Sequence, residues 1–162
     1  MTKWVPIVTL LSFSKSINYV TEKIINTNMK LNTKEIVTQA SNYFSARKDI
    51  QFAYLFGSHA KGVATSMSDI DIAIYFLADK FESDSRLDML HVLSTTLNSE
   101  RIDLVILNKA PITLAFKVVQ NHILLIDREP LRRHQFESLV MRKYFDFSYL
   151  ERGILERRFA DG

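Results

Sequence analysis

Leu55-Phe56-Gly57-Ser58-His59-Ala60-Lys61-Gly62, followed five residues later by Ser68-Asp69-Ile70-Asp71-Ile72-Ala73-Ile74, is the stretch on which the fold turns. An apolar run, Phe52 to Phe56, leads into a Gly-Ser turn, and a second apolar run carries two aspartates one residue apart. Successive side chains of a strand point to opposite faces, so Asp69 and Asp71 share one face and Ile70, Ile72 and Ile74 the other. The isoleucine face calls for a core. Two carboxylates held close together repel unless positive charge lies between them. The pair reads either as the ligands of a hard divalent cation, Mg²⁺ before others, or as solvated aspartates on an edge strand.

The turn upstream bears on that choice. Gly57 lets the backbone approach a bulky ligand and adopt unusual dihedrals. Ser58 adds a hydroxyl and an N–H, Lys61 a point charge, and Gly62 a second flexible position. A turn of exposed N–H groups with a lysine is a phosphate cradle. It is not a Walker loop, because the Gly-x4-Gly-Lys-Ser/Thr spacing is absent. A phosphate cradle beside a metal-binding carboxylate pair points to a nucleoside triphosphate with Mg²⁺.

Outward from this stretch, the chain of 162 residues has the length of one domain, and 47% hydrophobic with 24% charged residues is an ordinary globular composition. There is no cysteine, which excludes disulfide and thiolate chemistry and fits a cytoplasmic protein. A net charge of +3 falls short of the profile of a dedicated nucleic-acid binder, so no direct nucleic-acid binding is expected. No apolar stretch reaches the length of a membrane span.

Residues 1–28 read as an N-terminal extension, with Met29 an alternative start, and 29–162 as the functional domain. Lys3 and Val5–Leu11 only weakly match a signal peptide, and no Ala-x-Ala site follows. Ile17 to Ile25 has the pattern of a short helix. Asn32 and Glu35 form a capping-box pair at the start of a helix over Asn32–Phe44, with Leu31 and Ile36 as its hydrophobic staple. Ile36, Ala40 and Tyr43 recur at helical spacing on that helix.

After the polar stretch Asp79 to Asp84, Ser83 or Ser85 caps a helix to about Leu97, with Leu87, Leu90, His91, Leu93 and Leu97 on its inner face. Arg101 to Leu107 reads as the third strand. Asp103 stands there in a β-branched run, either paired with Arg101 or serving as a third metal carboxylate. Pro111 opens a further helix packed by Leu114, Ala115, Val118 and Val119. Leu131 to Arg158 reads as a basic helix weakened at Gly153. Arg132, Arg133, Arg142, Lys143, Arg152, Arg157 and Arg158 make it either a solvated face or a docking surface, and exposed Phe145, Tyr149 or Phe159 would favour docking.

The composite Leu-Phe-Gly-Ser-x-Ala-Lys-Gly, then Ser-Asp-x-Asp-x-Ala, resembles the signature of the polymerase-beta-like nucleotidyltransferases. In particular it is similar to the minimal nucleotidyltransferases, the MntA-type antitoxins of HEPN/MNT toxin–antitoxin pairs, from about Leu31 to the C-terminus. The resemblance implies an α+β fold, a small mixed β-sheet with helices packed on it. It implies Asp69, Asp71 and Asp103 as the catalytic and metal-binding set for two Mg²⁺ ions. It implies Gly57, Ser58, Lys61 and Ser68 as the nucleotide-binding residues.

It further implies AMP transfer from ATP to a tyrosine of a cognate HEPN RNase toxin. One departure stands out. The family commonly ends the helix after Pro111 in glycine, where this chain has Asn121-His122, and asparagine can adopt the left-handed turn nearly as well. A small-molecule nucleotidyltransferase and a non-enzymatic antitoxin acting by binding alone are the alternatives.

Overall fold

The computed structural model describes residues 32–77 and 83–160, leaving aside the side chains of 83–85 and 153–160. The expected domain boundary at 29, the Ile17–Ile25 helix, the Leu31 staple, the Ser83 and Ser85 caps, and the side chains of Arg157, Arg158 and Phe159 lie outside that description. In chain order the elements are α1 (Thr33–Ser45), β1 (Ile50–Phe56), α2 (Gly57–Ala60), β2 (Ile70–Phe76), α3 (Ser83–Thr96), β3 (Ile102–Ile106), α4 (Ile112–Gln120), β4 (His122–Asp127) and α5 (Pro130–Ala160).

The strands form one mixed sheet in the order β3-β2-β1-β4. β1 runs antiparallel to both β2 and β4, and β2 runs parallel to β3 across the α3 crossover. All seven residues of β1 are buried, as a central strand covered on both faces requires. On one face Phe52, Tyr54 and Phe56 pack with Ala73, Val105, Leu107 and Val118, and Phe136 of α5 closes over them. The opposite face of β1 and β2 carries Ala53, Leu55, Ile70, Ile72 and Ile74, all buried. α1 packs on β1 and β4, and α3 on β3. This is the α+β architecture expected.

Local sequence explains most boundaries. The capping box forms: the Asn32 side chain accepts from the Glu35 N–H at 3.0 Å, and the Asn32 N–H donates to Glu35 Oε2 at 2.9 Å. β1 begins two residues earlier than the apolar run suggests, because the buried Gln51 belongs to it. Asn108 extends the sheet by side chain, accepting from the Phe76 N–H and donating to the Phe76 carbonyl.

Three expectations are corrected. The inner line of α3 is Met89, Leu93 and Leu97, while Leu87 is 71% exposed and His91 is also exposed. A 4-residue stride selects 89, 93 and 97, and the mixed apolar pattern of this helix does not distinguish that line from its neighbour. Asn121 is extended, at φ −145°, rather than left-handed. The ring of His122 sits 3.2 Å and 3.1 Å from the carbonyls of Val118 and Val119, so a side chain closes the helix end and the chain runs straight into β4. α5 is unbroken through Gly153, where a weakened helix was expected, and Leu139 and Phe147 along it are 43% and 40% exposed.

Candidate active site

The sheet register sets the site. Asp103 of β3 pairs with Asp71 of β2, Asp71 with Phe56 of β1, and Phe56 with His122 of β4. Directly opposed residues share a face, so the four form one row across the sheet. The chain leaves β1 at Phe56 and turns at once into Gly57, so the Gly-Ser turn lies against Asp71. Gly57 has φ +70°, in the left-handed region where side chains are disfavoured. A Cβ added there would run into the Asp71 carboxylate. The glycine is required twice over, by its dihedral and by the closeness of that carboxylate.

The turn continues as α2. Lys61 N–H donates to the Gly57 carbonyl at 3.2 Å and Val63 N–H to the Ser58 carbonyl at 3.1 Å. His59 is buried and shares a 3.2 Å hydrogen bond with Thr33, which ties the turn to the start of α1. Lys61 is exposed at the end of the turn. The Ser68 hydroxyl accepts from the Thr65 N–H at 2.9 Å, and the Ser68 N–H donates to the Thr65 carbonyl, so this serine shapes the loop before Asp69. Arg101 donates to the Met67 carbonyl at 2.8 Å and accepts the Ile70 N–H on its own carbonyl. Arg101 therefore holds this loop rather than pairing with Asp103.

The three aspartates differ in setting. Asp69 and Asp103 are exposed and Asp71 is half-buried. Burial first, then the charges of Asp103 and Asp69, push the Asp71 carboxyl above its ordinary pKa. Among the described residues, neither Asp69 nor Asp71 forms an ion pair, and the nearest cation to Asp103 is Arg86 at 4.0 Å. Net negative charge is thus gathered beside Gly57. Among the described residues no three carboxylate or imidazole groups make a closed metal shell. The oxygen donors suit a hard cation whose remaining ligands come from phosphate and water, the habit of Mg²⁺.

Two features were hidden in the sequence. Arg86 also donates to the Leu104 carbonyl at 3.0 Å, bringing α3 onto the sheet edge 18 residues away in sequence. A polar network pins α5 to the sheet: the buried Tyr54 hydroxyl donates to Glu137 at 2.7 Å, and Arg133 donates to Glu137 at 3.0 Å and to Asp127 at 2.8 Å. Arg133 is thereby a structural cation, although the run of charges in α5 suggested a solvated or docking role. No local pattern announces either feature, since both join distant segments.

The comparisons with known proteins agree with this geometry. The curated "Protein adenylyltransferase MntA" of Shewanella oneidensis is 39% identical over 70 residues, which are 43% of this chain and 49% of that protein. The chain thus spans about half the length of the curated relative it matches. Among solved structures, a chain of a toxin–antitoxin crystallised with AMP-PNP superposes with a TM-score of 0.63 at 27% identity, covering 78% of this chain and 98% of its own. A chain of the toxin–antitoxin MntA-HepT gives a TM-score of 0.57 at 25% identity, covering 80% and 97%. The family model "Polymerase beta, Nucleotidyltransferase" matches residues 38–131, and this chain, with its glycine turn set against an aspartate row, belongs to that family.

Proposed function

We propose that this chain is an antitoxin that works as a protein adenylyltransferase, moving AMP from ATP to a tyrosine of a cognate HEPN RNase toxin. The observation that carries the transferase part is Gly57 at φ +70° with the Asp71 carboxylate in the space its Cβ would take. That closeness sets bound phosphates directly beside the carboxylate row. The acceptor rests on the relatives, one of which bears the name protein adenylyltransferase and two of which are toxin–antitoxin structures. Phe145 and Tyr149, 60% and 81% exposed on α5, favour a protein acceptor over a small molecule. With ATP as substrate and no cysteine, the place of action is the cytoplasm.

Each residue then has a task, within a transferase domain taken as 29–162. Gly57 and Ser58 hold the β- and γ-phosphates, with Lys61 at the end of the turn and Ser68 keeping the following loop in shape. Asp69 and Asp71 hold the triphosphate's cations, and Asp103 stands on the side where the acceptor hydroxyl enters and takes its proton. Two Mg²⁺ ions, when bound, neutralise the charge building on the entering and leaving oxygens. Most of the remaining catalysis is positioning.

The test is the intact mass of a HEPN-domain partner after incubation with this protein, ATP and Mg²⁺. Mass gained in adenylyl steps, and lost with Asp69→Ala, Asp71→Ala or Asp103→Ala, is the expected result. Normal transfer by the aspartate variants would overturn it. Toxin neutralised equally by those variants, with no mass gained, would indicate an antitoxin that acts by binding alone.

A further inference from the structure

The long helix α5 carries aromatic surface well past its packing on α4. Its last described ring contacts with the rest of the chain are those of Tyr144, stacked on Phe116 of α4 with 3.6 Å between centroids, and of Phe145, 6.2 Å from the same ring. Phe145, Phe147, Tyr149 and Leu150 are all exposed, and Tyr149 is the most exposed large hydrophobic side chain among the described residues. Apolar surface gathered in this way marks a contact site for another macromolecule.

The charges beside Tyr149 say which one. Residues three and four apart are neighbours on a helix, so Phe145, Asp146, Arg152 and Gly153 share the face of Tyr149. Asp146 lies three residues before Tyr149 and Arg152 three residues after it. Both are exposed, and neither forms an ion pair among the described residues. One charge of each sign, set symmetrically about an exposed aromatic ring, makes the face complementary to itself.

We infer that α5 pairs antiparallel with α5 of a second copy of this chain, about a two-fold axis at Tyr149. In such an isologous contact a residue some number of places before the axis faces the residue the same number of places after it. Asp146 of each copy then meets Arg152 of the other, and the two Tyr149 rings meet at the axis. Phe145 falls opposite Gly153, whose lack of a side chain leaves room for the ring. A parallel pairing of the same faces sets Asp146 against Asp146 and Arg152 against Arg152, which like-charge repulsion opposes. A uniformly acidic or basic partner satisfies only one of the two charges. The charge order thus selects both the partner and the direction. The inference stands apart from the transferase reading. Docking of a protein acceptor on Phe145 and Tyr149 excludes the pairing, so the pair is the form of the chain with no acceptor on that face.

Two helix segments make a small contact, for which weak, concentration-dependent association is expected. Sedimentation velocity of the full chain, taken up to about 100 μM, tests it. The wild-type mass should rise with concentration from 18.8 kDa toward twice that value. Asp146→Arg and Arg152→Asp should each raise the dissociation constant about tenfold or more, by placing like charges opposite one another. The two changes together should restore it to within about threefold of wild type, because the pairs re-form with their signs exchanged. A chain that stays monomeric over the whole range would overturn the pairing. A dimer that neither reversal weakens, or that the combination fails to restore, would overturn the assigned face and register. A second measurement uses the absence of cysteine. Tyr149→Cys puts a single thiol at the axis, where two copies come within disulfide reach, and mild oxidation should link them readily. Thr38→Cys, at an exposed position of α1, should link far more slowly. Equal rates for the two thiols would overturn the placing of Tyr149 at the axis.

Discussion

Gly57→Ala separates two costs that the structure superimposes at one residue. The first is conformational: at φ +70° an alanine is strained by roughly 1–2 kcal/mol. The second is contact, because the new methyl runs into the Asp71 carboxylate and drives that side chain off its preferred rotamer, adding about 1 kcal/mol. Gly62 is the internal control. It has φ +71°, and a Cβ there meets nothing within 4 Å, so Gly62→Ala carries the first cost alone. Urea unfolding of the two variants should therefore differ by roughly 1 kcal/mol, equivalent to about 4 °C in Tm for a unit of this size. In an Asp71→Ala background most of the excess should go, since the carboxylate atoms Oδ2 and Cγ are removed and only the Cβ of residue 71, 3.3 Å from the new methyl, remains. Adenylyl transfer by Gly57→Ala should fall about 100-fold, the effect of misplacing a reacting group by about 1 Å. Equal stability costs at the two glycines, or an excess that survives removal of the Asp71 carboxylate, would refute the proposed contact between turn and carboxylate.

Further predictions concern the charges. The Asp71 carboxyl has a raised pKa in the fold, so its ionisation opposes folding above the ordinary aspartate range, and the opposition fades as pH falls and the group protonates. Asp71→Asn should accordingly stabilise the metal-free protein at neutral pH, lose that advantage on acidification, and abolish transfer; urea midpoints across pH and intact-mass assays check both halves. Burial works against the Glu137 carboxylate, but hydrogen bonds from Tyr54 and Arg133 outweigh it and hold its pKa below the ordinary value. That stabilisation is present at neutral pH and is lost as pH falls through the acidic range, so Glu137→Gln should flatten the acid limb of a stability–pH curve. Tyr54→Phe removes a buried hydroxyl that donates at 2.7 Å to a charged acceptor and should cost about 1.5–3 kcal/mol in urea unfolding, with the denaturant slope unchanged.

The local signals in the chain were strong where one segment sufficed. The capping box at Asn32 and Glu35, the all-apolar β1, the alternation of Asp69 and Asp71 with isoleucines, and the proline before α4 each depend on neighbours a few residues apart, and each appears as expected. The inner face of α3 was misread at Leu87 and His91 because leucines occur on both sides of that helix. The end of α4 was misread because the cap is the imidazole of the next strand's first residue, which no turn rule anticipates.

By itself the sequence determined which chemistry was at stake. A glycine-serine turn and aspartates at a two-residue spacing raised the expectation of a phosphate and a hard cation from residue type and strand geometry alone. The tertiary structure decided how these parts meet. Only the parallel pairing of β2 with β3 brings Asp103 level with Asp71, and only the register with β1 sets Gly57 against that carboxylate. A cleft beyond Asp103 exists because the crossover helix α3 delivers Arg86 and Leu87 to the sheet edge. Pairing register and helix placement follow from burying both faces of the sheet at once, a condition imposed by the whole chain and written in no single stretch of it.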